Sequence, residues 1–226
     1  MSTNTPDTVL NTLLSERYSC RGYLPEAVPQ EVLDRILAVA QRTASWCNSQ
    51  PWQLHITRGA ATEQFRQALL AQVGKQPSDT DFPFPARYTG VYQDRRRECG
   101  FQLYEAVGVA RGDRAASQLQ ARRNFEFFGA PHVAIITTND DLGVYGAVDC
   151  GAYVSNFMLA ARSMGVASIA QAALANYSGF IRDYFNMAAD RRVVCGISFG
   201  YADTEHPANQ FRTHRAEPQD VVTWVD

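Results

Sequence analysis

Apolar positions recur every three or four residues near the N-terminus, at Val9, Leu10, Leu13 and Leu14, and again at Val32, Leu33, Ile36, Leu37 and Ala40. That spacing puts each set on one face of a helix. The second helix opens with Pro29 at its first turn and with Glu31 and Asp34 near the positive end of its dipole. The period then falls to two over 52–57 (WQLHIT), which predicts a strand, and 60–74 (AATEQFRQALLAQVG) reads as a helix closed by Gly74. Segment 75–90 carries three prolines and no period, so it predicts a long loop, the kind that often serves as a functional lid.

Beyond it, 91–110 and 113–128 read as helices and 131–138 (PHVAIITT) as a buried strand. Segment 145–165 is a helix apolar on nearly every face, which predicts a central core position. An extended piece at 166–171, a helix at 178–185 and a strand at 191–201 follow; after an aperiodic stretch, 221–225 (VVTWV) predicts a short final strand. No repeat or low-complexity tract interrupts this α+β order, so 1–226 reads as one domain.

A hydrophobic content of 46% is enough for one substantial core. Lys plus Arg (21) nearly balances Asp plus Glu (23), so charge gives no reason to expect nucleic acid or an anionic membrane as partner; a small molecule is the better expectation. The start lacks a basic segment followed by an apolar one, and the most apolar charge-free stretch, 150–161, falls short of the ~17–25 residues that span a bilayer. A cytoplasmic protein is expected. Cysteines 20, 47, 99, 150 and 195 form no C-x-x-C pair, so neither disulfides nor zinc are indicated, and they read as small buried hydrophobes.

No dinucleotide-binding, phosphate-loop or zinc-protease motif occurs. Residues 196–200 (GISFG) fit the nucleophile elbow of serine hydrolases with Ser198 as nucleophile, but an elbow needs a helix next, and YADTEHPANQ cannot start one. Hydrolysis by Ser198, with Asp203, His206 or His214 as helpers, is therefore a remote alternative.

The arginines say more. Arg17, Ser19 and Arg21 stand where the first helix ends, and Arg212 and Arg215 stand in the tail; separately, each cluster is most simply solvated surface. Segment 43–52 (TASWCNSQPW) crowds two tryptophans, a cysteine and several hydrogen-bonding side chains into one connection. Together these groups fit flavin mononucleotide: arginine forks for a phosphate, Ser and Asn for the amide-like edge of a flat heterocycle.

The R-x-S-x-R segment, the S-x-x-N-x-Q-P-W loop beginning at Ser45 and an arginine near the C-terminus together resemble the FMN-dependent nitroreductase family. The likeness covers essentially the whole chain, including GVASIAQAAL and GISFGYAD. It implies an α+β three-layer sandwich with a central, mostly antiparallel sheet, and an intertwined homodimer with two FMN sites at the interface. By the resemblance, Arg17 and Ser19 meet the phosphate and ribityl chain, and Arg215 with Arg212 binds the phosphate. Ser45, Asn48 and Gln50 come from the second subunit's loop, with Trp46 and Cys47 beside the ring. Ile169, Ala170 and Gln171 offer backbone groups opposite N5, and Asn124 or Arg123 holds the pyrimidine edge. Two positions depart from the family pattern, Ala44 and Ala170, where proline is common.

In such an enzyme NADPH or NADH reduces the flavin, and the cofactor carries the chemistry. Arg21 beside N1 and O2 is the implied catalytic group, a fixed charge that stabilises the reduced flavin. Trp52 is expected to anchor the following strand, and Trp46 either borders the ring or fills core. Phe82, Phe84, Tyr88 and Tyr92 with Arg87, Arg95 and Arg96 suit an aromatic substrate bearing an anionic group; Phe82, Phe84, Tyr88 and Arg95 are the substrate candidates. The layout looks most like nitrobenzoate-type reductases, which form hydroxylamines by ping-pong hydride transfer. Flavin or quinone reduction and reductive dehalogenation on the same scaffold are the alternatives, as is a non-catalytic flavin binder.

Overall fold

The structure, a computed structural model, describes residues 5–225; the first four residues, on which the expected lack of a leader partly rests, lie outside it. In chain order the elements are α1 (Pro6–Glu16), α2 (Gln30–Ala40), β1 (Gln53–Thr57), α3 (Ala60–Leu70), α4 (Gly90–Ala106), α5 (Arg114–Arg122), β2 (His132–Asn139), α6 (Gly143–Ser163), β3 (Ala167–Gln171), α7 (Ser178–Tyr184) and β4 (Arg191–Gly200). The strands form one sheet in the order β1-β2-β4-β3, every neighbouring pair antiparallel.

Successive residues of β2 point to opposite faces, and both faces are covered, which explains its unbroken apolar run. Ala134 and Ile136 join Ile197 and Phe199 of β4 under α2 and α6. Val133 and Ile135 join Val193 and Ile169 under α3 and α7. The result is the expected α+β three-layer sandwich. Trp52 is buried just ahead of β1, its ring 4.9 Å from that of Tyr153 and its Nε1 donating to Gln41 Oε1 at 3.0 Å. Among the described residues no helix is long and apolar enough to cross a membrane.

Two polar groups in the core are fully employed. The Val28 N–H donates to His132 Nε2 at 3.0 Å, so the ring proton sits on Nδ1 and meets Thr57 O at 3.2 Å; burial of this neutral ring lowers its pKa. The buried guanidinium of Arg191 donates to Thr137 O at 2.7 Å and to Pro51 O at 3.1 Å, tying β4 and β2 to the segment that precedes β1.

Four expectations need correction. Helix α6 buries one face, from Gly146 to Ala161, and leaves Val144, Tyr145 and Val148 exposed, because hydropathy alone cannot tell which apolar residues the chain covers itself. On the apolar side of α1 the described residues likewise leave Val9, Leu10 and Leu14 exposed, with Leu13 half-buried. Helix α5 ends at Arg122 rather than at 128, and after the turns of 123–126 Phe127 and Phe128, with left-handed φ of 55° and 52°, reach the core. The final strand is absent: Pro218–Asp220 forms a 3-10 turn, and Val221–Val225 finds no strand to pair with. Among the cysteines, Cys20, Cys150 and Cys195 are buried as expected, and burial pushes the last two thiols up to about 12; Cys47 is exposed and Cys99 half-buried.

Candidate flavin site

Helix α1 ends because Arg17 turns to extended backbone, φ −68° and ψ 128°. The chain then runs beside β3: Ser19 bridges Ser168 in parallel, and the Cys20 N–H donates to Ser168 O at 3.2 Å. Buried Tyr23 fixes the end of this segment by donating to Ser198 O at 3.0 Å.

The distant C-terminal tail is stapled to it by one buried side chain. Asn209 accepts from the Arg21 N–H at 2.7 Å and donates to Gly22 O at 2.9 Å and Asp203 O at 2.8 Å. Sequence reasoning missed this residue; an asparagine in an aperiodic tail gives no signal of its own. The staple delivers Arg212 and Arg215 to Arg17, Ser19 and Arg21, and with Cys99 they line a cavity of about 300 Å³.

That cavity is cationic without an internal counter-ion. Among the described residues no carboxylate pairs with any of the four arginines. Burial lowers the pKa of Arg17 and of Arg21, and the charge of Arg215 lowers that of Arg17 further. The Arg212 guanidinium lies 3.8 Å from the Tyr18 ring centroid. Two partly desolvated guanidinium groups, Arg17 and Arg21, and two exposed ones, Arg212 and Arg215, around one hollow suit a polyanionic ligand.

Strand β3 borders the same region. Ile169 is buried, and the Gln171 side chain is engaged internally, its Nε2 donating to Asn124 O at 2.8 Å and its Oε1 accepting from Ser198 Oγ. In an antiparallel pair, alternate residues direct both backbone groups to the same side. Ser168 bonds outward to Cys20, so Ala170, two residues on and exposed, offers its N–H and C=O at the open edge. Asn124 lies beside the end of this strand through its contact with Gln171. Ser198 is sealed inside β4 with no exposure, and no helix follows at Gly200, so the hydrolase elbow is not formed.

Loop 43–52 lies elsewhere on the chain. Its centre, Trp46–Asn48, is a 3-10 turn; Ser45 Oγ accepts from the Gln50 N–H at 2.9 Å, and Asn48 Oδ1 accepts from Gln50 Nε2 at 3.1 Å. Trp46 is 61% exposed, which rules out the core-filling role. None of Ser45, Trp46, Asn48 and Gln50 lines the arginine cavity.

The substrate candidates divide as well. The long loop is anchored near its middle, where Asp81 accepts from Arg182 and from the Val193 N–H at 2.7 Å. Phe82 is half-buried, Phe84 and Tyr88 are exposed, and the Arg96 guanidinium sits 5.2 Å from the Tyr88 ring centroid. Arg95 is apart from them, in a hollow of about 470 Å³ that it shares with Cys99, His214 and Arg215. Among the described residues no cluster of metal-ligating side chains occurs.

A three-layer α+β sandwich whose sheet edge opens beside a hollow of uncompensated arginines defines a binder of a small phosphorylated molecule. The family model described as the nitroreductase family matches residues 14–201, and the chain belongs to that family. It is 34% identical over 205 residues to the nitroreductase NfnB of Mycolicibacterium smegmatis, covering 90% of this chain and 87% of that one. It is 31% identical over 242 residues to a 4-nitrobenzoate reductase of Nocardioides sp., covering 100% and 98%. The crystal structure of the FMN-dependent nitroreductase NfnB from Mycobacterium smegmatis in complex with NADPH superposes with a TM-score of 0.93 at 31% identity, covering 98% of this chain and all of that one.

Proposed function

We propose that the protein is an FMN-dependent, NAD(P)H-oxidising reductase of nitroaromatic compounds that works as a homodimer. The observation that carries this reading is the cavity of Arg17, Arg21, Arg212 and Arg215, which among the described residues has no carboxylate partner and stands beside the open edge at Ala170. A phosphate dianion supplies the missing counter-charge, so the residues present fit FMN.

Bound there, FMN supplies hydride transfer from the reduced nicotinamide to the acceptor. Arg17, Arg212 and Arg215 hold the phosphate, Ser19 the ribityl chain, and the Ala170 backbone the ring edge opposite, with Ile169 and Gln171 fixing that strand. Arg21 places a half-buried positive charge at the N1 and O2 side, where it favours the reduced cofactor. Asn124 orients the pyrimidine end. Ser45, Asn48, Gln50 and Trp46 complete the site from a second copy, because within one chain they stand away from the cavity. The uncovered apolar residues of α1 and α6, Val9, Leu10, Leu14, Val144 and Val148, supply the surface for that copy.

Nicotinamide and acceptor would take turns on one face, giving ping-pong kinetics, and two such turns, each oxidising one NAD(P)H, would reduce the nitro group to a hydroxylamine with loss of one water. Phe82, Phe84 and Tyr88 offer aromatic faces and Arg95 a cation, which suits a nitrobenzoate-like acid. The test is the purified protein itself: it should be yellow, release FMN on denaturation and bleach with NADPH or NADH. Colourless protein that takes up no added FMN would overturn the reading.

A further inference from the structure

Loop 45–50 holds an unfavourable backbone. Cys47, Asn48 and Gln50 have φ of 51°, 55° and 46°, in the left-handed region that side chains other than glycine and asparagine avoid. Such a shape persists only where the surroundings impose it; Gln41 Nε2 donates to Gln50 Oε1 at 3.0 Å and Arg191 to Pro51 O at 3.1 Å near its end, and the contacts to its centre lie on one face of α6. The Asp149 carboxylate accepts from the Trp46 N–H at 3.2 and 3.3 Å and from Ser49 Oγ at 3.4 Å. One turn earlier, the Tyr145 ring meets the Trp46 ring edge-on at 4.6 Å. Further along, Asn156 Nδ2 donates to Thr43 Oγ1 at 2.8 Å. Asp149 is half-buried and, among the described residues, has no cationic partner, so these donors alone compensate it.

We infer that Asp149 is a positioning residue: by accepting from Trp46 and Ser49 it presets the loop that presents Trp46, Asn48 and Gln50 to the flavin. The inference rests on the cofactor reading above. A preset loop binds more tightly because its ordering is complete before the ligand arrives. The hydrogen bonds, rather than the charge, do this, so asparagine, which retains a side-chain acceptor, should replace aspartate where alanine cannot.

Amide hydrogen exchange of the ligand-free protein and FMN titration followed by fluorescence quenching test it on the wild type, Asp149→Ala and Asp149→Asn, each first confirmed to unfold cooperatively. Asp149→Ala should exchange about tenfold faster at residues 46–50, with β2 unchanged, and should bind FMN about tenfold more weakly. Asp149→Asn should recover both to within about threefold. Unchanged exchange or unchanged FMN affinity in the alanine variant would overturn the assignment, as would an asparagine variant as impaired as alanine. Wild-type protein that binds no FMN would sink the cofactor reading instead, and faster exchange in the alanine variant would still support the clamp.

Discussion

Replacing Arg215 should separate what the arginine cavity does for binding from what it does for folding. In the free protein Arg215 contributes repulsion to Arg17, and its own hydrogen bonds are local and exposed: to Thr213 Oγ1 at 2.8 Å and His214 O at 2.9 Å. Arg215→Ala should therefore change the stability of the FMN-free protein by no more than about 0.5 kcal/mol, in either direction. With FMN present the sign is fixed. Loss of one charge-assisted phosphate contact removes about 1.5–3 kcal/mol, roughly a ten- to a hundredfold rise in Kd. At a ligand concentration of about 100 wild-type Kd, FMN stabilises the wild type by about 2.7 kcal/mol; a tenfold weaker variant keeps only about 1.4 kcal/mol. Urea melts with and without FMN, alongside fluorescence titration, measure both quantities. An equal Kd in the variant, or destabilisation of the free protein as large as that of the complex, would refute the phosphate assignment.

Arg21→Ala should lower the midpoint potential of the bound flavin by roughly 30 mV for each 1.4 kcal/mol of lost preference for the reduced state, with a smaller loss of affinity for oxidised FMN; an unchanged potential on fully flavinated protein would leave Arg21 structural. Asn209→Ala leaves the Arg21 N–H without an acceptor, while Gly22 O keeps the Asp203 N–H and Asp203 O keeps the His206 N–H, so it should destabilise the protein by about 1–3 kcal/mol and weaken FMN binding with it, read by denaturant melts and titration. Burial holds the imidazoles of His132 and His55 below their ordinary value, so the unfolded chain takes up their protons first. Stability should be level above about pH 6.5 and fall as the pH drops below it, and a His132→Asn variant should show a shallower fall in melts across that range.

Much of this was written locally in the chain. The 3.6-residue spacing of Leu33, Ile36 and Ala40 and the apolar run of β2 mark elements whose partners are supplied by the same chain. The Arg17, Ser19 and Arg21 spacing was legible because an extended segment brings alternate side chains to one side. What escaped sequence reading depends on distant partners. Asn209 matters because Arg21, 188 positions earlier, needs its oxygen. Val144 and Val148 carry the hydropathy of core residues, and only the fold reveals that the described residues leave them exposed. Segment 221–225 has strand-forming residues but pairs with no strand among the described residues, and intrinsic preference alone does not make a strand. Arg191 sits in an ordinary strand pattern, yet its guanidinium secures Pro51 at the end of loop 43–52, a role visible only in three dimensions.

The most direct test of the central claim is an anaerobic sequential-mixing experiment on the purified protein with its flavin bound. Addition of NADPH or NADH should bleach the flavin, and subsequent addition of 4-nitrobenzoate at about half an equivalent per flavin, after the nicotinamide is spent, should restore the oxidised spectrum, two reduced flavins supplying the four electrons that take one nitro group to its hydroxylamine. A flavin that bleaches but is not reoxidised by any nitroaromatic acid, or that is never bleached by a reduced nicotinamide, would contradict the assigned function.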